Sequence, residues 1–108
     1  MKVIEYKENT NIGAYDKFIL YCSASWCGPC RRIKPDLLDW LMKKQSNRGI
    51  VFLVDIDKHK DLAQLCKVTQ IPQFVFFSSE PDSKDYKTHR LLSSNIKEIK
   101  EKIDAFFG

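Results

Sequence analysis

Glycine, proline and histidine are scarce in this chain of 108 residues: four, four and two. So little glycine and proline, without a period, excludes a collagen-like, repeat or low-complexity chain and leaves order expected almost throughout. Long apolar runs are missing too. No segment approaches a membrane-spanning length, and Lys2, Glu5, Lys7 and Glu8 put charge where a signal peptide needs an apolar core. The expectation is a soluble cytoplasmic protein with no membrane attachment. His59 and His89 lie far apart without paired ligands, so both read as surface residues and no metal is expected. No cofactor-binding motif occurs, and no cofactor is expected. A strong charge imbalance is also absent: the net +4 is modest and scattered. Arg31, Arg32 and Lys34 form a tight basic group without interleaved aromatics, which argues against nucleic acid as a partner.

What is present suits one domain over residues 1–108, since the length allows one real core and is short for two. Residues of the AVILMFWYC set make up 44% and charged residues 30%. Lys2 to Tyr6 reads as a strand, and Lys7 to Lys17 as a loop with at most a short helix. The continuous apolar run Phe18 to Cys22 has the pattern of a strand buried on both faces. From Cys30, Ile33, Leu37, Trp40 and Leu41 form a helical stripe that Arg48 and Gly49 end, with Pro35 inside it as a kink. Val51 to Val54 is a second buried strand. Lys58 to Lys67 is a short helix with Asp57 as its cap and Leu62, Ala63 and Leu65 inward.

Pro72 then opens the strand Phe74 to Phe77, where proline is sterically acceptable. The turn Ser78 to Lys84 leads to an antiparallel partner at Asp85 to Leu91. Asn95 and Glu98 are spaced as a capping box for a terminal helix whose face is Ile96, Ile99, Ile103, Phe106 and Phe107. This order predicts an α/β fold with a central mixed sheet and helices on both faces. The competing reading is another three-layer α/β fold with a different strand order.

Two of the four cysteines, Cys27 and Cys30, form a close pair directly after an apolar strand and at the start of a helix. A thiolate there is stabilised by free N–H groups and the helix dipole, so dithiol–disulfide exchange is the leading chemistry. Cys27, at the helix start and expected to be the more exposed, is the nucleophile in this reading, and Cys30 resolves the mixed disulfide. Gly28 and Pro29 keep the spacer compact, with Pro29 suited to the first turn. Trp26 shields the pair and offers a flat apolar contact, against ordinary core packing. Arg31 and Arg32 add local positive potential or are merely solvated. Cys22 reads as an inert core residue. A cysteine-ligated zinc or iron–sulfur centre is an alternative that needs Cys22 and Cys66 near the pair, or a dimer.

Trp26-Cys27-Gly28-Pro29-Cys30, Pro35 and Ile71-Pro72 together resemble the thioredoxin family, over residues 18 to 107. The resemblance implies the thioredoxin fold and a protein-disulfide reductase. It also implies a Cys27 pKa of about 7, the value known for thioredoxin itself, and a cis Pro72 facing the dithiol. The partners it implies are oxidised proteins and a thioredoxin-reductase-like electron donor, with the chain acting as a monomer. Four positions depart from the family. Tyr21 stands where most thioredoxins carry a buried aspartate, and Leu53 replaces its partner lysine, so the usual proton-transfer aid is absent. Gln70 and Leu92 stand in stretches where the family has groove glycines, and reshape the substrate groove. Cys66 matches a non-catalytic, regulatory cysteine of some animal thioredoxins. The alternative function is a thioredoxin-fold binding or scaffold protein with little redox turnover.

Overall fold

A computed structural model describes residues 1–45, 49–81, 83 and 85–108; the expected helix end at Arg48 and the turn positions Asp82 and Lys84 lie outside the described residues. The elements run β1 (Lys2–Glu5), a 3-10 turn (Ile12–Ala14), β2 (Lys17–Ser23), α1 (Gly28–Lys43) and β3 (Ile50–Asp55). They continue with α2 (Lys60–Leu65), β4 (Gln73–Ser78), β5 (Lys87–Leu92) and α3 (Ile96–Phe107). The five strands form one sheet in the order β1-β3-β2-β4-β5. β1 and β2 pair with β3 in parallel; β4 pairs antiparallel with β2 and β5. The sheet is mixed because the parallel pairs are joined through crossovers and the β4–β5 pair through a short connection.

β2 is apolar from Phe18 to Cys22 because both of its faces are covered there. Ile19 and Tyr21 point to one side, with Val51, Phe74 and Phe76, and meet Ile33, Leu37 and Leu41 of α1 and Ile99, Ile103 and Phe107 of α3. Phe18, Leu20 and Cys22 point to the other, with Phe52, Val54 and Val75, under Ile12, Tyr15, Leu62, Cys66 and Tyr86. Burying each of these large side chains contributes about 1.5–3 kcal/mol. One register row runs Glu5, Leu53, Tyr21, Phe74, Leu91 across all five strands. Since a row shares one face, Glu5 lies on the same side of the sheet as Tyr21 and α1.

Several local expectations are corrected. Asp57 does not cap α2, which starts at Lys60 behind His59 and has no side-chain cap. Leu65 is 78% exposed rather than inward, while Ala63 is buried and Leu62 packs on the second core. The helix ends too soon to turn Leu65 under: Lys67 takes a left-handed φ of 56°, and its N–H donates to the Gln64 carbonyl at 3.0 Å. The capping box is half formed. The Asn95 side chain accepts from the Glu98 N–H at 3.1 Å, but the Asn95 N–H donates to Ser93 Oγ. Leu92, read as part of the loop into α3, is the last residue of β5 and pairs with Gln73. His89 is exposed but stacks on Phe76 with ring centroids 4.6 Å apart, so it is not a freely solvated side chain.

Candidate active site

β2 ends at Ser23, and four residues later the chain reaches Cys27, the N-cap of α1. Cys27 adopts extended backbone, and its Sγ accepts the Cys30 N–H at 3.2 Å, so the sulfur occupies the place an N-cap oxygen usually holds. Pro29 sits in the first turn, where its missing N–H costs nothing. No acidic residue lies in that turn, and Arg31 and Arg32 follow, so nothing quenches the positive helix end. Cys27 and Cys30 are joined in a disulfide with Cα atoms 5.3 Å apart.

The pair is more enclosed than the sequence implied. Cys27 is 4% exposed and Cys30 2%, so the expected contrast between an open and a deep thiol is slight in the oxidised protein. Linking the sulfurs holds both against Ala24, with Ile56 and Ile71 packed on them. The Ile71–Pro72 bond is cis and Pro72 is buried, while Gln70 just before it is exposed. Gly28 is exposed at the helix start. Trp26, next to Cys27, is 65% exposed, and Leu92, opposite Gln73 at the end of β5, is 49% exposed.

Trp26 has a partner that sequence reasoning missed. Its Nε1–H donates to Asp57 Oδ2 at 2.8 Å. The Asp55 side chain shapes that turn by accepting the Asp57 N–H at 2.9 Å. Nothing in the spacing signals this contact, because 31 residues and a whole strand separate the two groups.

Tyr21 lies on β2 beneath α1, fully buried, with its ring stacked on Phe74 at 4.7 Å. Its hydroxyl donates to the Cys30 carbonyl oxygen at 3.3 Å. Burial pushes its pKa up to about 12, so it stays neutral and accepts no proton at working pH. Leu53 is its register partner and is only partly buried.

The other two cysteines do not join the pair. Cys22 and Cys66 pack in the second core cluster. The Cys22 thiol is pushed up to about 12, chiefly by burial and also by the nearby Cys66, against a lowering by Arg90. Cys66 is raised by burial and lowered by the Arg90 guanidinium, which donates to the Cys66 carbonyl oxygen. Among the described residues, no three His, Cys, Asp or Glu side chains are grouped to hold a metal ion.

A disulfide that caps its own helix, carried at the end of a central strand beside a cis-proline turn, is built for reversible exchange of sulfur partners. The protein is a thiol–disulfide oxidoreductase of α/β architecture. The thioredoxin family profile matches residues 3–103, so the chain belongs to the thioredoxin family and the likeness includes β1. It is 37% identical to the thioredoxin of Equus caballus over 101 residues, 93% of this chain and 85% of that one. To the thioredoxin of Homo sapiens it is 39% identical over 94 residues, 85% of this chain and 78% of that one. The solved thioredoxin of Malassezia sympodialis superposes with a TM-score of 0.81 at 18% identity, covering 100% of this chain and 96% of that one, a likeness of fold.

Proposed function

We propose that the chain, as one domain over residues 1–108, reduces oxidised proteins through Cys27 as nucleophile and Cys30 as resolving thiol. The observation that carries this reading is the Cys27–Cys30 disulfide at the N-cap of α1. In the reduced form the Cys27 thiolate attacks one sulfur of a substrate disulfide. A Cys27–substrate bond forms, and the other substrate sulfur leaves as a thiolate. Cys30 then attacks Cys27, the Cys27–Cys30 bond forms, and the second substrate sulfur leaves. The substrate gains two electrons, and the dithiol is oxidised by the same two.

A thioredoxin-reductase-like partner supplies the electrons that restore the dithiol. Trp26, Gly28, Pro29, Gln70, Ile71, Pro72 and Leu92 form the substrate-facing surface. The partner's backbone lies along the cis-proline turn, where main-chain pairing is sequence-tolerant. Leu92 and Gln70 add side chains to that surface and narrow the choice of partner. The chain acts as a monomer in the cytoplasm, where electron transfer to protein disulfides has a reducing supply. No described helix is long and apolar enough to cross a membrane.

The test is reduction of insulin by the protein with dithiothreitol, beside Cys27→Ser. Acceleration by the wild type that is lost in Cys27→Ser is the expected outcome. A folded dithiol protein that gives no acceleration with any protein disulfide overturns the reading. Retained partner binding by a Cys27→Ser, Cys30→Ser double variant would then favour a binding role, a second reading that the half-exposed Leu92 motivates.

A further inference from the structure

Resolution requires Cys30 to lose its proton, and the residue beneath it is unable to take it. The Tyr21 hydroxyl is neutral and donates to the Cys30 carbonyl oxygen rather than to its sulfur. Leu53 beside it is apolar. Cys30 is almost fully buried, at 2% exposed, but it borders solvent-filled space. It lines a cleft of about 260 Å³ that opens between the ends of β1 and β3 and the first turns of α1. The charged groups facing this cleft are Glu5 from β1, Asp55 from β3, Lys58 beyond it, and Arg31 and Lys34 from α1, with Tyr21 facing Cys30 from β2.

The two carboxylates differ in commitment. Asp55 Oδ1 is occupied by the N–H groups of Asp57 and Lys58, at 2.9 and 3.4 Å. The salt bridges among the described residues use Asp36, Asp39 and Asp104, and Glu5 takes part in none of them. Glu5 shares the register row of Leu53 and Tyr21, two strands across from Tyr21, which places their Cα atoms about 10 Å apart. That span is too long for direct contact with the site above Tyr21, and the cleft between them has room for several waters.

We infer that Glu5 serves as the proton acceptor for Cys30 during resolution, acting through water in the cleft. This rests on Cys30 being the resolving thiol. In the mixed disulfide, a water in the cleft takes the Cys30 S–H proton as it gives one of its own to the Glu5 carboxylate. The Cys30 thiolate attacks Cys27 Sγ, the Cys27–substrate bond breaks, and the substrate leaves with the bond's electron pair. The leaving thiolate takes a proton from solvent, and Glu5 gives the proton it received back to solvent. Lys34, Lys58 and Arg31 favour the transient thiolate by their charge.

The test uses the full reduced chain carrying Cys66→Ser and the aromatic disulfide dithiobis-nitrobenzoate. The first thionitrobenzoate is released by Cys27. The second is released by Cys30 in a first-order phase independent of reagent concentration. That second phase is followed over about pH 5 to 9 in the parent, Glu5→Gln, Glu5→Asp and Cys30→Ser. Glu5→Gln is expected to slow it about tenfold near neutrality and to make it climb with pH as the Cys30 thiolate accumulates, with Glu5→Asp partly restoring the parent profile. A carboxylate acting only as a nearby charge gives the opposite sign, because its removal stabilises the thiolate and speeds resolution. An unchanged or faster phase in Glu5→Gln, or a slowing equal at every pH, overturns the inference. Absence of the second phase from the parent would instead show that Cys30 is not the resolving thiol, while insulin reduction reports on the exchange activity separately.

Discussion

The Tyr21 hydroxyl donates to the Cys30 carbonyl oxygen at 3.3 Å, tying the central strand to the helix that carries the disulfide. The bond is buried, and Tyr21 is held flat against Phe74. Tyr21→Phe keeps the ring and removes the donor. The expected loss is about 1 kcal/mol, seen as a fall of several degrees in the melting temperature of the oxidised protein. The Cys27 thiolate titration is expected to stay essentially where it is, because a neutral hydroxyl is exchanged for hydrogen.

The Trp26–Asp57 contact is a charge-assisted bond at an exposed position, so solvent weakens it to about 1 kcal/mol. Asp57→Ala and Trp26→Phe are each expected to lower kcat/KM for insulin reduction by about fivefold. The double variant should lose less than the product of the two. Equality with the product would mean that the two side chains act independently.

Cys30→Ser leaves Cys27 able to attack and nothing to resolve the adduct. Turnover is expected to stop while a covalent complex with an oxidised protein accumulates, visible by mass spectrometry and released by dithiothreitol. Cys27→Ser should form no such complex.

Stability should fall in alkali. The Cys22 thiol is raised from 9.0 to about 12 and the Tyr21 hydroxyl from 10.0 to about 12, in both cases chiefly by burial. The unfolded chain therefore releases these protons first. The stabilisation from the buried neutral forms is complete below pH 9 for Cys22 and 10 for Tyr21, and is lost as pH rises towards about 12. Each group contributes a slope of up to about 1.4 kcal/mol per pH unit. Denaturant unfolding at a series of pH values should show the decline, and Cys22→Ala should flatten its beginning just above pH 9.

Lys67 holds the left-handed conformation that ends α2, where a side chain is strained. Lys67→Gly is expected to raise stability by about 0.5–1 kcal/mol, measured by denaturant midpoint. A loss would mean that the Lys67 side chain contributes more than its backbone strain costs.

Much of this protein was legible in its sequence. The apolar run Phe18 to Cys22 has no polar position because both sides of β2 are covered, and the stripe from Ile33 to Leu41 marks the covering face of α1. The dithiol and its helix were readable because that chemistry depends on residues close in the chain, whereas the cis Ile71-Pro72 step facing them was expected from the family resemblance. Where neighbours alone had to decide, the reading slipped: Asp57 resembled a cap, and Leu65 resembled a core residue. Local pattern carries no information on where a helix stops when a backbone turn at Lys67 ends it.

The sequence by itself determined the element order, the two-sided burial of the central strand and the exchange chemistry, because each follows from residue type and short-range spacing. Tertiary structure alone decided which distant groups meet. It gave the Trp26 indole to Asp57, set the Tyr21 hydroxyl under Cys30, and placed Glu5 and Cys30 along one cleft. The reason is register: strand pairing lines up Glu5, Leu53 and Tyr21 across the sheet, although they lie far apart along the chain.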